Sequence, residues 1–130
     1  MSGYRTPLGR VRGLGAAKHG VGHFISQRVS AAALVLLGLW GVYSALGLAQ
    51  DDYAAARAWM GSVWHAVPLA LLLAVGLYHG QLGVQVVIED YIHKPMTRNA
   101  LLILNLFVSG LGAALGVFSI LKVAFGAGAL

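Results

Sequence analysis

Residues 63–93 read VWHAVPLALLLAVGLYHGQLGVQVVIEDYIH, and from 63 to 88 they contain no Asp, Glu, Lys or Arg. The hydrocarbon core of a bilayer asks for about 20 consecutive, mainly apolar residues per helical span. In lipid every backbone N–H and C=O must find a partner within the protein, which leaves helices and closed barrels. The apolar–polar alternation of a barrel strand is absent here, so the stretch is expected to be a transmembrane helix. Two further windows, 29–49 and 100–121, are equally free of charge. The sequence therefore predicts an all-α membrane protein of one domain, with three transmembrane helices at 29–49, 63–88 and 100–121.

Composition agrees with this class. The chain has 130 residues, of which 58% are hydrophobic and 10% charged, and its mean hydropathy is +0.77. Soluble domains carry about 25% charged residues. There is no cysteine, which excludes disulfides and thiolate-held iron–sulfur clusters. No dinucleotide-binding glycine motif is present either. Any metal must come through histidine, carboxylate or a cofactor.

The net charge of +5 is a topology signal. Arg5, Arg10, Arg12, Lys18 and Arg28 precede the first window, and Lys94 and Arg98 lie between the second and third. The other loop carries Asp51, Asp52 and Arg57. Basic residues stay on the cytoplasmic side, so the N-terminus and residues 1–28, an arm and lead-in, are expected there. Three spans then leave the C-terminus periplasmic, where Lys122 snorkels to the interface. Nucleic-acid binding is not expected, because dense basic runs interleaved with aromatics are missing. Residues 44–49 resemble a small-residue cleavage site, but the polar region before the first window and the window itself exceed a signal-peptide layout. The first window reads as a retained helix.

Between these windows the organisation is simple. Residues 1–22, rich in Gly and basic residues, read as an irregular arm. Residues 24–28, FISQR, read as a short amphipathic lead-in. Residues 50–58 suit a short interfacial helix, with Tyr53, Trp59 and Trp64 as boundary anchors. Lys94-Pro95 marks a turn.

The polar residues of the second window carry the functional signal. Intramembrane ionisable residues are costly and mark functional sites by default. His79 lies about nine residues, roughly 14 Å, inside the end of its window. At 100° per residue His79, Gly83 and Asp90 fall close to one helical face. Gly76 and Gly80 flank the histidine. Two readings follow from the residues alone. The histidine hydrogen-bonds a neighbouring helix while Gly76–Gly80 and Gly112–Gly116 serve close packing, or the glycines clear room for a flat macrocycle that the imidazole ligates through one nitrogen. Likewise Asp90 reads as a solvated helix-end charge, an ion-pair partner or a site residue, and Tyr91 as an aromatic-belt residue or a hydrogen-bond donor. His65 reads as interfacial and His93 as a solvated loop residue.

The motif H-x-x-x-G-x-x-x-x-x-x-D-Y, here His79, Gly83, Asp90 and Tyr91, together with His23-Phe-Ile-Ser-Gln-Arg28 leading into the first window, resembles the hydrophobic membrane-anchor subunits of succinate dehydrogenase, respiratory complex II. It is most similar to the bacterial form of the D-type anchor, and the resemblance covers essentially the whole chain. It implies that His79 is an axial ligand of haem b, with the other ligand on a second membrane anchor of the cytochrome b type. It implies that Tyr91 hydrogen-bonds a ubiquinone carbonyl and that Asp90 shapes the quinone pocket. Arg28 is then placed for haem propionates or lipid phosphates, and Gly83 for close haem packing. His19 and His23 receive no role. The implied partners are a flavoprotein subunit, an iron–sulfur subunit and the lipid bilayer, in the bacterial inner membrane. On this reading the chain has no complete active site of its own. It holds haem, walls the quinone site and docks the soluble subunits.

Two rival classes are a small proton- or cation-coupled transporter subunit and a haem-free structural anchor. A coupled transporter places its carboxylate near mid-membrane, whereas Glu89 and Asp90 lie at the boundary. An optical spectrum separates all three, since only the first reading gives a b-type band that depends on His79.

Overall fold

A computed structural model describes residues 6–11 and 20–126, apart from the side chain of Arg10. Arg5, Arg12, Lys18 and His19 lie outside the described residues. There are five helices among those described: α1 (Pro7–Val11), α2 (Gly20–Leu48), α3 (Tyr53–Met60), α4 (Val63–Tyr91) and α5 (Pro95–Ala124). No described residue is in a strand. α2, α4 and α5 are long and apolar enough to cross a membrane. At 1.5 Å per residue, the 29 residues of α4 extend about 44 Å, the thickness of a bilayer with its headgroup regions.

Each long helix runs past its charge-free window. α2 begins nine residues before position 29, so residues 24–28 are its continuous first turns and not a separate lead-in. α4 continues through Asp90 and Tyr91, and α5 starts at Pro95. The windows mark what lipid requires, while the hydrogen-bond ladder continues into polar flanks that water can solvate. Pro95 suits the first turn of α5, where its missing N–H has no intrahelical partner to lose. Within the expected irregular arm, α1 is a short helix started by Thr6, whose Oγ1 accepts from the Gly9 N–H at 3.0 Å. The short helix expected at 50–58 is α3. Asp52 caps it, with Oδ1 accepting from the Ala55 N–H at 2.8 Å, and so supplies one of the free N-terminal donors with an acceptor.

α4 is the central helix, packed on α2 along one side and on α5 along another. Both seams are antiparallel. Along the first, Ser30 meets His79, Gln27 lies by Gly83, Leu34 by Gly76, and Leu72 by Gly41. Along the second, Leu77 lies by Gly112 and Leu73 by Gly116. The Asn105 amide donates to the Gln81 carbonyl at 2.9 Å. Glycines let the helix axes approach where leucines fill the gap, and the Asn105 bond ties the seam where water is scarce. Among described residues only Ala66, Leu82, Ile88 and Ser30 are buried. Many other large apolar side chains, among them Leu36, Leu39, Leu46, Phe107 and Phe118, face outward, as suits a lipid solvent.

At the α3 end, Trp59 stacks on His65 with ring centroids 4.4 Å apart and planes 9° apart, and on Trp40 at 6.0 Å. His65 Nδ1 lies 3.0 Å from the Trp59 carbonyl oxygen. His65 thus fastens α3 to α4, a role its sequence position alone does not give.

Candidate functional site

His79 sits on α4 twelve residues before Tyr91, about 18 Å along the axis. It is half-buried. Its Nδ1 lies 2.9 Å from the Ser30 hydroxyl on α2. Its Nε2 has no hydrogen-bond partner among the described residues. One nitrogen is therefore held by the fold and the other is left over. The first of the two readings is met here, since the histidine bonds a neighbouring helix.

The glycines around it divide between two environments. Gly83 faces α2, where an added Cβ would lie 3.9 Å from Gln27 Nε2, and Gly76 similarly faces Leu34. Gly80 faces open space, with nothing within 4 Å of an added Cβ. Room for a flat group beside His79 is thus found at Gly80, a position singled out only as a flank.

α2 contributes a polar stripe that the sequence did not flag as a unit. His23, Gln27 and Ser30 recur at intervals of four and three, which puts them on one helical face. Ser30 is 5% exposed. His23 Nε2 and Gln27 Oε1 are buried without a hydrogen-bond partner. Polar atoms in that condition are costly unless paired, so the described residues leave this face incomplete. The available signal was the spacing of three polar residues at the entrance of an apolar helix.

Asp90 and Tyr91 occupy the last turn of α4 and do not meet His79. Tyr91 is 76% exposed, and Asp90 is exposed with no hydrogen bond to described residues. Glu89 beside them accepts from the Gln85 amide at 2.9 Å. His93 follows in the three-residue turn, exposed, with Nδ1 3.1 Å from the Tyr91 carbonyl oxygen. The antiparallel seams bring the start of α2 and the start of α5, with Lys94 and Arg98, to this same end. Arg28 is exposed and its guanidinium stacks over Phe24, 5.2 Å from the ring centroid. The five sequence-identified residues thus fall into a mid-helix pair, His79 with Gly83, an end pair, Asp90 with Tyr91, and Arg28 on α2.

Among the described residues no three His, Asp or Glu side chains converge to hold a bare metal ion. A single free imidazole nitrogen suits a metal that brings its other ligands with it, as a porphyrin iron does.

Comparison with known proteins gives a consistent identity. Residues 2–121 match the family described as succinate dehydrogenase/fumarate reductase transmembrane subunit. The succinate dehydrogenase hydrophobic membrane anchor subunit of Rickettsia bellii is 36% identical over 100 residues, covering 77% of this chain and 80% of the relative. That of Paracoccus denitrificans is 32% identical over 127 residues, covering 95% of each. That of Rickettsia conorii is 32% identical over 102 residues, covering 78% and 81%. The chain belongs to the succinate dehydrogenase/fumarate reductase transmembrane subunit family. With three spanning helices, and relatives that are bacterial membrane anchors, it is a multi-pass inner-membrane protein.

Proposed function

We propose that this chain anchors a succinate dehydrogenase in the inner membrane, holds haem b through His79, and forms part of the ubiquinone-reducing site with Tyr91 and Asp90. The observation that carries the reading is the state of His79. Its Nδ1 is engaged by Ser30, its Nε2 has no partner among the described residues, and Gly80 beside it leaves open space. When bound, haem b supplies a reversible one-electron store inside the membrane.

The rest of the proposal concerns this chain's own residues. Tyr91, exposed at the helix end, donates its phenolic hydrogen to a quinone carbonyl oxygen. That oxygen gains negative charge as the quinone takes up electrons, so the bond is stronger in the reduced state and favours reduction. Asp90 stands beside it with its carboxylate unpaired among the described residues, ready to meet an arginine of a partner subunit and wall the pocket. Reduction of the quinone to the quinol takes two electrons and two protons. The electrons arrive from succinate through a flavoprotein and an iron–sulfur partner, and the protons from the aqueous phase at the Asp90–Tyr91 end. We assign that end to the cytoplasm on the distribution of Lys and Arg. Arg28, on the same half of α2, is available to propionates or lipid phosphates, and Gly83 keeps the α2–α4 seam close near His79. The unpartnered His23 and Gln27 atoms support a second membrane anchor or a cofactor on this face.

The test is purification of the complex from its native membrane through a tag on this chain. The expected preparation contains flavoprotein, iron–sulfur protein and a second anchor, shows a b-type haem spectrum, and reduces ubiquinone with succinate. A chain that purifies without these subunits, or a complex that oxidises succinate but contains no haem, contradicts the proposal.

A further inference from the structure

The Ser30 hydroxyl has one hydrogen and three polar neighbours. Its Oγ lies 2.7 Å from the Ser26 carbonyl oxygen, 3.1 Å from the Gln27 carbonyl oxygen and 2.9 Å from Nδ1 of His79. The two carbonyls can only accept. Suppose the hydrogen pointed to Nδ1. Oγ would then face two carbonyl oxygens with nothing between, the nearer at 2.7 Å, in a residue that is 5% exposed. Lone pairs so opposed and so buried are strongly unfavourable. If the hydrogen points to the Ser26 carbonyl, that short contact becomes a good O–H···O bond. A carbonyl oxygen has two lone pairs, so it takes the hydroxyl as well as its helical N–H. The contact to His79 must then be Nδ1–H donating to Oγ.

We infer that Ser30 is a positioning residue for His79: it holds the imidazole in the tautomer that carries its proton on Nδ1 and keeps the Nε2 lone pair free for the haem iron. The inference rests on the reading of His79 as the haem ligand. In the other tautomer Nε2 carries the proton and has no lone pair to give. The bond also fixes the ring plane, since it ties the imidazole to a helix across the seam. Donation from Nδ1–H to an oxygen makes the ligating nitrogen more basic. A more basic ligand favours ferric over ferrous iron, so Ser30 lowers the haem midpoint potential.

The experiment uses the complete complex carrying Ser30→Ala, Ser30→Thr or Ser30→Val. Threonine and valine have the same shape and differ in the hydroxyl. A helical threonine can turn Oγ1 to the carbonyl three or four residues back, which preserves the acceptor for Nδ1–H. The readouts are haem per flavin, the potentiometric midpoint of haem b, and the low-spin ferric signal in electron paramagnetic resonance. The threonine complex is expected to match wild type. The alanine and valine complexes are expected to show a raised midpoint, a shifted low-spin signal and haem retention weakened about ten- to a hundredfold. Complete haem loss in alanine and valine with retention in threonine supports the inference equally. Wild-type midpoint and signal in both alanine and valine overturn it, and so does equal damage in threonine and valine, which would make the effect one of shape. His79→Ala measured alongside separates the two levels. If it keeps low-spin haem, the ligand reading itself fails. If it loses haem while alanine and valine at 30 behave as wild type, only the role of Ser30 fails.

Discussion

The side chain of Leu73 occupies the space that a methyl group on Gly116 would need. One turn away, Gly112 is different: an added Cβ would meet Leu77 at 3.5 Å, ordinary contact. The two glycines look alike in sequence, and the seam between α4 and α5 separates them.

Gly116→Ala is therefore expected to destabilise the assembled complex by about 1–3 kcal/mol, the usual cost of overpacking, while Gly112→Ala is neutral or mildly stabilising through helix propensity. Thermal inactivation of detergent-solubilised complex is the measurement. Adding Leu73→Ala to Gly116→Ala should recover part of the loss, because the two sites share one space. Equal behaviour of the two glycine variants would contradict this packing.

How much of this was legible in the sequence differs from residue to residue. The spans were, because lipid imposes charge-free lengths that no other constraint imitates. His79 was, because an imidazole within such a span is conspicuous. The helix ends were not: α2 starts at Gly20, since residues 20–28 are free to continue a helix without being apolar. Ser30 was not, because one serine in an apolar window has no visible partner until the rotation of α2 against α4 is known. That rotation is set by packing at Gly76, Gly83 and Gly41 against side chains far away in sequence. The same rotation turned Gly83 toward Gln27 and left Gly80 facing open space.

Membrane orientation is the next expectation. Seven Lys and Arg residues, Arg5, Arg10, Arg12, Lys18, Arg28, Lys94 and Arg98, are assigned to the cytoplasmic side, against Arg57 and Lys122 on the other. A reporter active only in the periplasm should be active when fused after Leu130 and silent when fused after Lys94. The opposite pattern would reverse the orientation and move the quinone site to the outer face.

Tyr91→Phe keeps the ring and removes the donor. A hydrogen bond to a group gaining charge is worth about 1.5–3 kcal/mol, or roughly ten- to a hundredfold in rate when it acts in the transition state. Succinate–ubiquinone activity should fall by that order, while succinate oxidation with a dye that accepts electrons upstream stays nearly unchanged and haem remains bound. Normal quinone reduction with normal quinone affinity would make Tyr91 a belt residue, with the site built from other chains.

The most direct test of the central claim is the absorption spectrum of the purified complex carrying His79→Ala, oxidised and dithionite-reduced, with haem quantified against flavin. Nothing else on α4 offers a free imidazole nitrogen at that depth. The variant is expected to lose haem b, or to retain a smaller amount in a high-spin form, while the flavoprotein and iron–sulfur subunits stay attached. An unchanged low-spin b-type spectrum with full haem content would show that His79 is not the ligand and that this chain anchors the complex without holding its haem.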